Sequence, residues 1–125
     1  MQLSIPVNPM GKPRMTQRDK WKKRPIVERY HAYCDKIREQ VNGDYLSGGF
    51  GQVYVLAYIK MPKSWPKSKK SCMYGRYHRQ KPDADNILKG VIDALFKDDS
   101  IIWHASIQKF WEDKDEGFGL DIFIE

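Results

Sequence analysis

The sequence predicts an α+β fold in which two helices pack on one mixed sheet, in the order β-α-β-α-β-β. Two observations support this prediction. Two segments of the 125-residue chain repeat apolar residues every three to four positions, as amphipathic helices do. Four others are rich in alternating β-branched and aromatic residues, as strands are. Because elements in this order can share one core, the whole chain, residues 1–125, is expected to be a single domain.

The first half of the chain supplies two strands and a helix. The alternating segment Leu3–Val7 predicts the first strand. The following stretch, NPMGKPRMTQRDKWKKRP, contains three prolines and seven basic residues and predicts a loop. A helix is predicted over Pro25–Val41, because proline suits a first helical turn and Asn42-Gly43 suits a helix end. Gln52–Ile59 predicts a buried strand.

The second half begins with a basic stretch. Residues 60–82 hold eight Lys or Arg and no acid, and prolines near the start favour a loop. Asn86–Phe96 has one continuous apolar face and predicts the second helix. Ile101–Glu112 predicts a third strand, Asp113–Gly117 a hairpin turn, and Phe118–Ile124 a fourth strand.

Charge is distributed unevenly along the chain. The net charge is +6, but residues 1–82 carry 18 basic and 5 acidic side chains, while residues 83–125 carry 4 and 11. A basic body favours a polyanionic partner, most often nucleic acid. No apolar run is long enough to span a membrane, two cysteines make no disulfide framework, and no signal peptide is evident. A cytoplasmic location is therefore expected.

Aspartates cluster in the stretch KPDADNILKGVIDALFKDDS, which runs from Lys81 to Ser100. If the backbone before the second helix is extended, Asp83 and Asp85 point to the same side. Two such carboxylates repel each other, and a hard cation such as Mg²⁺ would offset the repulsion. Asp98-Asp99 would reach the same place if the next strand lies beside the preceding one.

Lys89 follows Asp85 by one helical turn, where it could act on a phosphoryl group, and Asp93 could pair with it. Structural roles are the alternative for all these residues. A single aspartate often caps a helix, a Lys–Asp pair often lies on a surface, and Asp98-Asp99 could be a turn. One cap does not need two acids, however, and an aspartate cluster in a basic protein is typical of a metal-dependent nuclease.

The same stretch resembles the signature of the RusA family of Holliday-junction resolvases. That signature is D-x-D-N, a lysine three residues after the Asn, an Asp one turn later, and a D-D pair before the next strand. The turns Pro9–Thr16 and Pro62–Lys70 are similar to those of phage-type members, so the resemblance extends from about residue 3 to residue 112. It implies roles for six residues: Asp83, Asp85 and Asp99 bind metal, Lys89 is catalytic, and Asp93 and Asp98 support them.

The resemblance implies a Mg²⁺-dependent endonuclease, with Mn²⁺ as a substitute, that is bacterial or phage-encoded. It would nick four-way junctions symmetrically during recombination and repair. Two paired cuts require two sites related by a two-fold axis, so a homodimer is expected, with an interface near Trp103 and Trp111. A nuclease for flaps or Y-forks and a non-catalytic nucleic-acid-binding module remain alternatives.

Two basic surfaces are expected to contact DNA, since Lys and Arg meet phosphates and aromatic rings stack on exposed bases. One belongs to the first loop and the other to residues 60–82. The predicted DNA-binding residues are Arg14, Arg18, Lys22, Lys23, Lys63, Trp65, Lys67, Lys69, Lys70, Arg76, Tyr77, Arg79 and Lys81.

Overall fold

Four strands form one mixed sheet in the computed structural model, which describes residues 1–14 and 24–125. In chain order the elements are β1 (Gln2–Ile5), α1 (Pro25–Glu39), β2 (Gln52–Lys60), α2 (Lys67–Met73), α3 (Ala84–Leu95), β3 (His104–Glu112) and β4 (Gly119–Ile124). The strand order is β1-β4-β2-β3, with β2 parallel to β3 and β4 antiparallel to both its neighbours. The α+β class and the mixed sheet are confirmed, but the described chain has three helices rather than two.

Helices α1 and α3 bury their apolar faces against one face of the sheet. Alternate residues of β2, from Val53 to Ile59, point into this core, as the pleat of a strand requires. The two helices approach closely where Tyr30 of α1 meets Gly90 of α3. A Cβ at Gly90 would lie 3.3 Å from the Tyr30 ring, so glycine permits this packing. The core therefore holds α3, which carries the aspartate motif, in a fixed position.

The predicted basic loop contains a helix. Lys67–Met73 forms α2, and the extended residue Pro66 directly precedes it. Proline was expected to prevent regular structure here, but it is compatible with the start of a helix, where its missing N–H costs nothing. The seven residues that follow contain neither glycine nor proline, so nothing interrupts one or two helical turns.

The predicted hairpin between the last two strands is wrong. Asp113–Gly117 does contain a turn, in which the Gly117 N–H donates to the Lys114 carbonyl at 3.1 Å. However, β2 lies between β3 and β4, so the two strands do not pair. Local turn residues indicate where a chain reverses, but they do not indicate which strand it joins next.

Several element boundaries also differ from the prediction, and three of them have a clear local cause or bear on the site. Strand β1 ends at Ile5 because Pro6 has no N–H to donate. Helix α3 begins at Ala84, two residues earlier than expected. Strand β3 begins at His104, because Asp99–Ile101 forms a 3-10 turn instead of extending the strand.

Residues 75–82, hereafter the edge segment, cover one half of the outer edge of β3. The His78 N–H donates to the Lys109 carbonyl at 2.9 Å, and the Trp111 N–H donates to the Arg76 carbonyl at 2.9 Å. The Lys109 ammonium donates to the carbonyls of Gln80 and Pro82 at 2.7 and 2.8 Å. These bonds fix the segment that leads directly into Asp83.

His78 is a buried titratable group within the edge segment. Its side chain is only 4% exposed, and its ring centroid lies 4.3 Å from that of Trp111. Its Nδ1 has no hydrogen-bond partner among the described residues. Burial, assisted by the nearby charge of Lys109, lowers the pKa of His78 from 6.5 to about 4.

We expect the contribution of His78 to lower the free energy of unfolding by about 2 kcal/mol when the pH falls from 8 to 5. Since its pKa is lower in the folded state, the unfolded chain takes up the proton first as the pH falls. Stability is thus lost from about pH 6.5 down towards pH 4 and does not depend on this group above that window. Denaturant unfolding should show that His78→Phe loses less stability than the wild type between these pH values. Equal losses of stability in the wild type and in His78→Phe would contradict the lowered pKa of His78.

Among the described residues, no helix is both long enough and apolar enough to cross a lipid bilayer.

Candidate active site

Asp83 and Asp85 stand at the start of α3. Asp83 occupies the position before the first helical residue, with φ −69° and ψ 145°, but its side chain makes no capping hydrogen bond. Asp85 lies inside the first helical turn, so the condition that the backbone is extended holds for Asp83 but not for Asp85. Both are exposed, and neither side chain bonds or pairs with another described residue. Capping therefore does not account for these two carboxylates.

The second pair of aspartates divides into two roles. The Asp98 carboxylate accepts hydrogen bonds from the Ser100 N–H at 3.0 Å and from the Ser100 hydroxyl at 2.6 Å. These bonds cap the 3-10 turn and lower the pKa of Asp98. Asp99, the first residue of the turn, forms an ion pair with Lys89 of α3 instead. The crossover from β2 through α3 to β3 brings these two residues together.

Four side chains form an alternating chain of charges beside the motif. Lys12 Nζ lies 2.5 Å from one Asp93 oxygen, and Lys89 Nζ lies 3.2 Å from the other. Lys89 also pairs with Asp99, which raises the pKa of Lys89 and lowers the pKa of Asp99. The expected pairing of Lys89 with Asp93 is confirmed. Lys89 stays protonated at neutral pH, so it can act as a fixed positive charge.

The arrangement leaves two negative charges uncompensated. The four-residue chain is neutral as a whole, whereas Asp83 and Asp85 carry no partner among the described residues. Within residues 1–14 and 24–125, no three Asp, Glu, His or Cys side chains are close enough to form a metal cage. Mg²⁺ normally takes only one or two carboxylates and completes its shell with water and substrate phosphates. The oxygen donors present here fit that mode of binding.

Comparison with known proteins identifies the family. The family model for endodeoxyribonuclease RusA matches residues 6–125. The chain belongs to the RusA family. No curated protein and no solved structure matches the chain. The match confirms the resemblance found in the aspartate motif and extends it through β4 to the end of the sequence, so the family assignment covers the fold as well as the site.

The residues predicted to bind DNA are not equivalent in this RusA-family fold. Trp65 is half-buried, with its ring centroid 4.7 Å from that of Trp111, and Lys69 Nζ lies 4.1 Å above it. Lys70 lies 3.8 Å from an oxygen of Asp113. Arg18, Lys22 and Lys23 lie outside the described residues. The remaining predicted residues are exposed, namely Arg14, Lys63, Lys67, Lys69, Arg76, Tyr77, Arg79 and Lys81.

Two lysines that the sequence analysis did not single out help to build the site. Lys12 pairs with Asp93 across 81 positions of sequence, and Lys109 binds the Pro82 carbonyl across 27. Lys12 could have been noticed as a basic residue inside the family-like turn Pro9–Thr16. Lys109 offered a weaker signal, as the one basic residue of the third strand.

Proposed function

We propose that this protein is a Mg²⁺-dependent endonuclease that resolves four-way DNA junctions by paired symmetric nicks, with Mn²⁺ able to replace Mg²⁺. The observation that carries the proposal is the pair of exposed carboxylates on Asp83 and Asp85, which cap nothing and stand beside Lys89 in a basic chain. Membership of an endodeoxyribonuclease family supports it.

Asp83, Asp85 and Asp99 are proposed to hold the cation. Because these three carboxylates do not lie close enough together to form a cage in this structure, Asp99 would move towards the other two when the metal binds. When bound, it would lower the pKa of water and offset charge on the scissile phosphate. Asp83 and Asp85 have no ion-pair partner among the described residues, so their charge can be given to the cation. Asp99 shares its charge with Lys89. The same carboxylate would therefore fix the lysine and, in this proposal, add an oxygen donor.

Lys89 is proposed to contribute a positive charge at the phosphate. Its ammonium is held between Asp93 and Asp99, which come from one turn further along α3 and from the 3-10 turn. Developing charge on the phosphate oxygens is stabilised best by a cation that is already oriented. Asp93 is therefore a positioning residue, and Asp98 supports the site by capping the turn that carries Asp99.

A homodimer is proposed because paired cuts across a junction require two sites. Trp111 is only 4% exposed, so it is not available for an interface, whereas Trp103 is 72% exposed. The Trp103 ring packs directly against the backbone of Gly51, which holds it outward. Trp103 directly precedes His104–Gln108, which is the half of the β3 edge that the edge segment does not cover. This stretch contains no Lys, Glu or Pro, the residues that commonly prevent an exposed edge from pairing with another strand.

We expect the wild type to sediment at twice the 14.7 kDa mass of the chain, and Trp103→Ser to raise the dimer dissociation constant at least about tenfold. Tyr77→Ser is the matched control, because Tyr77 is 65% exposed on the covered half of the edge. Sedimentation equilibrium without DNA measures the mass of the wild type and the dimer dissociation constants of the two variants. A dimer equally stable in Trp103→Ser would place the interface elsewhere.

The function is tested by incubating the protein with a labelled four-way junction, a Y-fork and a linear duplex, each with and without Mg²⁺. We expect the junction to be cut when Mg²⁺ is present and not when it is absent. The cuts should lie at symmetric positions in two opposing strands. Preferential cutting of the Y-fork would assign the protein to other branched DNA. Binding without cutting, under several metals and pH values, would leave only a nucleic-acid-binding role.

A further inference from the structure

A cleft of about 530 Å³ opens beside the aspartate motif and has no role in the function proposed above. Its walls are the turn Pro9–Lys12, Ile26 at the start of α1, the segment Lys81–Asp83, and Asn86 in the first turn of α3. We call it the N-terminal cleft. Its volume lies within the range of about 300 to 1,000 Å³ that is usual for sites of small ligands.

The N-terminal cleft is built by contacts that fix its walls. The Lys12 N–H donates to the Asn86 carbonyl at 3.2 Å. A Cβ at Gly11 would lie 3.2 Å from the Pro82 Cβ and 3.4 Å from the Asn86 Cβ, so the turn rests directly on the start of α3. Asp93 holds the Lys12 side chain. The cleft is thus anchored to the helix that carries the proposed metal ligands.

The walls of the cleft combine two lysines, one carboxylate and an apolar surface. Lys12 and Lys81 supply two ammonium groups, of which that of Lys12 is already paired with Asp93 and that of Lys81 makes no ion pair with another described residue. Asp83 supplies the carboxylate. Met10, Ile26 and the neighbouring prolines supply apolar surface. An anion alone would leave the apolar wall unused, and an apolar ligand would leave the lysines unused. A nucleotide satisfies both, with its phosphate on Lys81 and its sugar and base on the apolar wall.

We propose that the N-terminal cleft binds one unpaired deoxynucleotide of the strand that is cut. A cleft of this volume holds a single unstacked nucleotide but not a duplex, and bases at the centre of a branched DNA are the cheapest to unpair. Asp83 belongs to the same wall, so a nucleotide seated here adjoins the carboxylates proposed to hold the cation. This inference rests on the proposed nuclease function and specifies how the strand reaches it.

The cleft can be probed without any cutting. A deoxynucleoside 5′-monophosphate titrated into the isotope-labelled full chain in EDTA should shift the backbone amide signals of Gly11, Lys12, Ile26 and Asn86, with a Kd on the order of 1 mM. Inorganic phosphate is the comparison ligand and should bind more weakly. Equal shifts and affinity for phosphate alone, or shifts confined to other parts of the chain, would overturn the proposal.

Junction binding supplies the second readout. Ile26→Trp narrows the cleft and should weaken binding of a four-way junction in EDTA about tenfold. A 2-aminopurine placed at the branch point should fluoresce more strongly when the wild type binds, because unstacking relieves quenching, and should stay quenched with Ile26→Trp. Tyr45→Trp is the matched control, since Ile26 and Tyr45 are 38% and 42% exposed and Tyr45 lies outside the cleft.

Lys81→Gln tests the phosphate contact itself. It should reduce the slope of log affinity against log salt by about 0.9, whereas Lys36→Gln, about 15 Å along α1 from Ile26, should leave the slope unchanged. Suppose that the wild type cuts junctions in Mg²⁺ and that Ile26→Trp binds the junction and unstacks the branch point as the wild type does. This result would overturn the proposed nucleotide site and leave the proposed nuclease function intact. If the protein cuts no DNA but its amide signals shift with the nucleotide, the nuclease function would be overturned and nucleotide binding in the cleft would stand.

Discussion

Replacing Asp85 by asparagine should reduce junction cleavage in Mg²⁺ by about 10³-fold or more, while junction binding is kept or becomes tighter. The carboxylate is exposed in the first turn of α3 and has no partner among the described residues, so its charge is available to a cation. A metal ion stabilises transition-state charge by several kcal/mol, and each 1.4 kcal/mol corresponds to about tenfold in rate. Loss of a negative charge near the DNA phosphates also removes a repulsion.

Two measurements separate this effect from misfolding or a lost helix contact. Asparagine has nearly the same shape as aspartate. The substitution removes only the interaction of an exposed negative charge with the start of the helix, which stabilises it by about 0.3 to 1 kcal/mol, so the variant should remain folded. Binding of Mn²⁺, followed by calorimetry without DNA, should weaken in Asp85→Asn. Asp35→Asn, on the exposed side of α1, is the matched control and should bind and cut normally. Wild-type cleavage by Asp85→Asn would remove this residue from the active site.

Local sequence patterns predicted the parts of the fold that depend on neighbouring residues. The periodicity of Pro25–Val41 anticipated α1 to within two residues, and Gln52–Ile59 anticipated β2 to within one. The position of β4 was missed for a physical reason. Its pairing with β1 and β2 joins residues that are distant in sequence, and no turn signal between β3 and β4 encodes that choice.

The site was predicted in part, and the limit has the same origin. The motif indicated Asp83, Asp85, Lys89 and Asp99, and the pairing of Lys89 with Asp99 depends on the crossover that returns beside β2. The two aspartates of the second pair looked equivalent in sequence, because only the backbone of the 3-10 turn assigns one to capping. Lys12 and the cleft beside it arise from contacts between distant segments, so no spacing rule could have indicated them.

Replacing Lys89 by methionine should reduce cleavage about 10²- to 10³-fold at saturating Mg²⁺, with less than about a tenfold loss in junction affinity. Its ion pairs raise its pKa, so it is charged at neutral pH and serves as a cation rather than a proton acceptor. The loss should therefore be much larger in kcat than in the Kd for the junction. Between pH 6 and pH 8 the ratio of wild-type to variant rates should stay constant, since Lys89 does not titrate there.

The conservative variant Lys89→Arg distinguishes a charge from a packing role. Arginine keeps the positive charge and can still pair with Asp93 and Asp99, so it should recover part of the activity that methionine loses. Lys97→Met, an exposed lysine just beyond α3, is the matched control and should cut at the wild-type rate. If methionine and arginine at position 89 were equally inactive, a charge alone would not explain the role of Lys89. If both were fully active, the ion pairs with Asp93 and Asp99 would be structural, and the charge at the phosphate would have to come from another residue.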